Sequence, residues 1–126
     1  MQMSTDNAGG PVLDEAQALR NLGGNETLYL KMAAYFLTYA EELQRPVLAA
    51  KAASDWPRLR EANHKLMGSV VNFGQNRVYH AARRLEASLD AGQLEHVDDE
   101  LQAVLTALAA LIEALRARLG RVDLPS

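Results

Sequence analysis

Cysteine is absent from the 126-residue chain, histidine occurs only three times, and aromatic residues make up 6% of it. Without thiols there is neither a disulfide framework nor a thiolate metal site, and the three histidines lack the paired spacing of a zinc helix. Metal catalysis is therefore not expected. Strong charge of either sign is missing too. The 13 Lys+Arg against 16 Asp+Glu leave a formal charge of -3 and a pI near 5.6, which gives no basic face for displacing counterions from nucleic acid. Long apolar runs are lacking: stretches such as Leu108 to Ile112 fall far short of the roughly 20 residues that cross a bilayer. Residues 1–11 are polar, unlike a signal peptide, so the expectation is a soluble, cytoplasmic protein without membrane contact. Strand formers are scarce as well, with 9 Val plus Ile and 4 Thr against 21 Ala and 20 Leu. This balance predicts an all-α fold, and at this length an antiparallel four-helix bundle with a short N-terminal capping helix.

Punctuation along the chain divides it into a flexible leader (1–11), a helical bundle (12–119) and a short tail (120–126). Asp14 is placed to cap a short helix, with Gln17 reaching back to the free backbone amide and Gly23-Gly24 ending it. A long helix then starts at Asn25, with Leu28, Met32, Tyr35, Phe36, Tyr39, Leu43 and Val47 as its expected apolar stripe. Pro46 is expected to kink or divide it. The Tyr35, Phe36 and Tyr39 cluster reads as core aromatics. Ser54 and Asp55 cap a third helix with Pro57 in its first turn, running to about Asn72 and closed by Gly74. The fourth runs from Gln75 or Asn76 to Gly92, and the fifth from about Leu94 to Leu119.

At 100° per residue, Leu59, Ala62, Leu66, Val70 and Phe73 of the third helix fall within roughly 60° of one line, the core face. His64 lies roughly 160° from the centre of that face and points outward. Gly68 is one turn further on the same side, about 40° away. A glycine in mid-helix costs about 1 kcal/mol relative to alanine, so its expected purpose is to let another molecule approach His64 closely. His80 is followed one turn later by Arg84, and His96 falls in the first turn of the last helix, on its polar flank. Neither has the open approach of His64. Arg83-Arg84 reads as a solvated face, with Arg83 able to touch a partner if the fourth helix packs beside the third.

The string Asn63-His64-Lys65-Leu66-Met67-Gly68-Ser69-Val70-Val71-Asn72-Phe73-Gly74 resembles the motif of histidine-containing phosphotransfer (HPt) domains, approximately Ala-His-x-Leu-Lys-Gly-Ser with a second glycine ten residues after the histidine. Further landmarks resemble the same family in order and spacing: Leu13-Asp14 with Gly23-Gly24, Tyr35-Phe36-Leu37, Asp55-Trp56, and Arg83-Arg84-Leu85-Glu86 closed by Gly92. The resemblance thus spans about Val12 to Leu119. It implies a monomeric phosphocarrier, freestanding or cut from a hybrid sensor kinase, that relays a phosphoryl group between receiver-domain aspartates by way of His64. Imidazole suits this work, since with an ordinary pKa of about 6.5 it is largely neutral and nucleophilic at pH 7. The receiver would supply the Mg ion and a lysine, so no cofactor of the chain's own is implied. Nor does the chain carry a glycine-rich nucleotide loop or Walker motif for phosphorylating itself from ATP.

Three positions depart from the pattern. Met67 stands where the family usually has lysine, and Arg60, one turn before His64, is the candidate to compensate; Lys65 sits about 100° round the helix and is a weaker one. Val71 replaces a small residue and projects within about 20° of His64, where it reads either as an apolar docking contact, the preferred reading, or as plain tolerated exposure. Asn63 replaces the usual alanine and reads as a helix-to-helix hydrogen bond. Two competing readings are a phosphorylation-silent bundle that docks receivers through His64, Gly68 and Val71, supported by Met67, and the dimerising helical module of a histidine kinase. The second is weaker, because one chain already supplies a full bundle.

Overall fold

The computed structural model describes residues 10–120, which form five α-helices: α1 (Glu15–Asn21), α2 (Glu26–Ala52), α3 (Trp56–Val70), α4 (Arg77–Asp90) and α5 (Val97–Gly120). A single 3-10 turn, Val71–Phe73, follows α3, and there is no strand among the described residues. Most of the expected leader and of the tail lies outside them. Gly10 and Pro11 are tied to the bundle, because the Arg77 amide donates to the Pro11 carbonyl at 2.7 Å and its Nε to Gly10 at 3.2 Å.

The first four helices each begin where a short polar side chain can take up a free amide. Asp14 accepts from the Gln17 amide, Asn25 from Leu28, Asp55 from Arg58 and Asn76 from Tyr79, which satisfies one orphan donor per helix start. Ser54 is not a cap; it adopts a positive φ of 50° in the turn before Asp55. Gln17 does not close a capping box either. Because α1 lies against the 71–73 turn, its side chain accepts instead from the Gln75 amide at 2.7 Å.

α3 packs between α2 and α4, α4 packs on α5, and a thinner α2–α5 contact closes the four-helix bundle that α1 caps. The expected α3 face is the core: Leu59, Ala62, Leu66, Val70 and Phe73 are all buried. With Leu85, Leu108, Leu111 and Leu115 also fully buried, each such side chain contributes about 1.5–3 kcal/mol. α2 corrects its expected stripe. Its buried residues are Tyr29, Ala33, Phe36, Ala40, Val47 and Ala50, whereas Leu28, Tyr35 and Tyr39 are exposed. The seam alternates small alanines, which let neighbouring helices approach, with Tyr29, Phe36 and Val47. α2 also runs unbroken through Pro46. Pro46 itself is exposed, so the helix carbonyl it leaves unpaired faces solvent, while Val47 and Ala50 just beyond hold the helix to the core.

The last helix starts later than expected, at Val97; His96 precedes it, and its carbonyl takes the Glu100 amide at 2.9 Å. No helix among the described residues is long and apolar enough to cross a membrane.

Candidate functional site

α3 turns one face to the core and the other to solvent, and His64 stands on the second with its side chain 62% exposed. Its Nδ1 lies 2.8 Å from Oε2 of Glu86, which α4 brings across from one helix over. A carboxylate can only accept, so this contact places the ring proton on Nδ1 and leaves Nε2 with its lone pair turned away from α4. Glu86 is mostly shielded, at 14% exposure, and the same Oε2 takes a second contact from Arg60 Nη2 at 3.0 Å. Arg60 in turn donates from Nε to Asp90 Oδ1 at 2.6 Å and from Nη2 to Oδ2 at 3.4 Å. The result is a continuous chain, His64–Glu86–Arg60–Asp90, built from two i, i+4 pairs on facing helices. The hydrogen bond from Arg60, reinforced by its charge, holds the Asp90 carboxyl below the usual range. The same bond raises Arg60 above its ordinary value.

Gly68 sits one turn beyond His64, and a Cβ built there would meet nothing within 4 Å. It is the one glycine in the interior of a described helix, and neither packing nor backbone conformation requires it. Gly68→Ala should therefore stabilise the domain by about 0.5–1 kcal/mol, the helix-propensity difference. A rise of a few degrees in the melting temperature is the expected result; a fall would mean that Gly68 is needed for the fold.

On the other side of His64, an open groove of about 1080 Å³ runs between α2 and α3, lined among others by Tyr35, Tyr39, Leu43, Pro46, Lys65, Ser69 and His64 itself. Tyr35 and Tyr39 pack against each other on its wall, with ring centroids 4.5 Å apart and planes tilted by 47°. Of the expected aromatic cluster only Phe36 is core; Tyr35 and Tyr39 are exposed and line the groove.

Other expected site residues fall as follows. Lys65 is exposed and lines the groove. Met67 is buried in the hydrophobic core, 9% exposed, so it is not a docking contact: α3 is covered by helices on two sides, and Met67 falls with Asn63 on the second covered side. Val71 directly follows the last residue of α3, opens the 3-10 turn with helical dihedrals and is half-buried. Arg60 lies beside His64 as expected, yet its guanidinium is engaged by Asp90 and Glu86. Asn63 is fully buried and donates to the Ala82 carbonyl at 2.8 Å, the helix-to-helix bond its position implied. His80 is half-buried, edge-on to Tyr79; Arg83 and Arg84 are exposed, with Arg83 over the Tyr79 ring.

Glu86 and Asp90 were not singled out by sequence. Their one signal is that an acidic i, i+4 pair on α4 matches the Arg60/His64 pair on α3, which becomes informative only once the two helices are known to be neighbours in that register.

A family model described as Hpt domain matches residues 31–118, more than two thirds of the chain. The match covers most of α2 and all of α3 and α4, and leaves out the Leu13 to Gly24 landmarks. Comparison with curated proteins and with solved structures gives no significant match.

Proposed function

Since the chain belongs to the Hpt domain family, whose members carry phosphoryl groups on histidine in two-component phosphorelays and bind response-regulator receiver domains, we propose that His64 is the phosphoacceptor. It takes the phosphoryl group from the aspartate of one receiver and passes it to the aspartate of another. The observation that carries this reading is an exposed imidazole whose Nδ1 is held by a shielded carboxylate while Nε2 faces open space beside Gly68.

In the forward step the Nε2 lone pair forms a bond to phosphorus, the bond from phosphorus to the aspartyl oxygen breaks, and the aspartate leaves as carboxylate. The proton stays on Nδ1, where Glu86 stabilises the cationic ring. In the return step the same proton lets the ring depart as neutral imidazole, a good leaving group. The domain supplies an oriented nucleophile; the Mg ion and lysine that neutralise the phosphoryl oxygens belong to the receiver. The Tyr35/Tyr39 groove beside His64 offers apolar ground on which a receiver rests. Met67 packs the core, so it offers no docking contact to a phosphorylation-silent bundle.

The test is a two-stage relay. Mixed with a phosphorylated receiver, the protein should gain label that is acid-labile and alkali-stable, and lose it to a second, unphosphorylated receiver. With ATP alone no label should form. Failure to take label from any receiver of the same system removes the proposal.

A further inference from the structure

We propose that Asp90 is a positioning residue that holds Arg60 away from the phosphoryl group and so keeps phospho-His64 short-lived and ready to transfer. The inference rests on the reading of His64 as phosphoacceptor. Arg60 is the cation best placed to reach a group on His64, because it lies one turn earlier on α3 and already touches the same carboxylate oxygen as the ring. Its Nε, however, donates to Asp90 at 2.6 Å, and the rest of the fork is shared between Asp90 and Glu86. With two carboxylates and one guanidinium, the cluster carries net negative charge beside the site where a phosphoryl group would sit. A phosphoryl group there meets repulsion, and Arg60, the cation within the cluster that could offset it, is held by Asp90.

Asp90 lies at the C-terminal end of α4, is half-exposed, and is a member of no buried cluster, so it can be changed without opening the core. In Asp90→Asn, Arg60 is released toward the phosphoryl oxygens. The expected effect is of the size of an exposed ion pair, about three- to fivefold in lifetime.

The test uses potassium phosphoramidate, which labels histidine without a receiver: Nε2 bonds to phosphorus, the phosphorus–nitrogen bond of the reagent breaks, and ammonia leaves. Decay of the phosphorus-31 resonance is then followed at neutral pH. Asp90→Asn should lengthen the lifetime about three- to fivefold, Asp90→Glu should restore the wild-type value, and the Arg60 Nε–H resonance should move on phosphorylation in Asp90→Asn but not in the wild type. Asp98→Asn, the same charge change at the exposed Lys51 ion pair, should leave the lifetime as it is. An unchanged lifetime in Asp90→Asn overturns the proposal. So does the same lengthening in an Arg60→Ala background, which would make the effect one of bulk charge. Label from phosphoramidate without any transfer from a receiver would instead count against the phosphocarrier reading, and the two failures stay distinguishable.

Discussion

Replacing His64 by glutamine will reduce phosphoryl acceptance from a receiver to background while leaving the domain folded. The loss is total because no other histidine offers a substitute. His80 is half-buried against Tyr79, and His96 precedes α5 with its carbonyl engaged by the Glu100 amide. The fold survives because the side chain is 62% exposed and no core residue packs through it. A glutamine amide can still donate to Glu86, so the change in stability should stay within about 0.5 kcal/mol, as for surface substitutions generally. Circular dichroism and the thermal midpoint report the second half of this expectation, and label transfer the first. A His64→Gln protein that took up label at the wild-type rate would place the nucleophile elsewhere.

The largest effect on stability is expected far from the histidine, at Gly74. This residue has φ 88° and ψ 173°, a region that side chains other than hydrogen rarely enter. An added Cβ would lie 2.5 Å from the Asp14 Cβ and 2.8 Å from its carbonyl oxygen, contacts that backbone must move to relieve. Asp14 is also the N-cap of α1, and its amide donates to Phe73 at 3.2 Å, so the displacement unseats the capping helix from the turn after α3. Strain and overpacking together put Gly74→Ala at about 3 kcal/mol or more of lost stability. At roughly 4–8 °C per kcal/mol for a domain of this size, the melting temperature should fall by more than about 10 °C. A fall of about 2 °C or less would show that the loop relaxes freely. The contrast with Gly68, where alanine is expected to stabilise, separates a glycine the fold requires from one it does not.

How far the molecule could be read from its residues depended on where the information lies. α3 was legible almost whole, because its leucines and Val70 sit on one face and its charged residues and histidine on the other, with Asp55 at its start and Gly74 ending the 3-10 turn that follows it. α2 misled by size. Tyr35, Tyr39 and Leu28 outweighed alanines in any count of apolar character, although the bundle covers Ala33, Ala40 and Ala50 together with Tyr29, Phe36 and Val47. Met67 misled in a related way, since a helix contacted on two sides has a broader buried arc than one stripe suggests. His64 and Gly68 could be found because exposure and absence of a side chain are properties of a single helix. Glu86 and Asp90 could not, because their role comes from the pairing of α3 with α4, and the register between two helices is written in packing rather than in either sequence segment.

One measurement bears most directly on the account: locating the phosphoryl group after transfer from a receiver, by phosphorus-31 resonance and tandem mass spectrometry under alkaline conditions. The account predicts a single phosphoryl group on Nε2 of His64, with Nδ1 still protonated against Glu86. A group on Nδ1, on any other residue, or on none would contradict it.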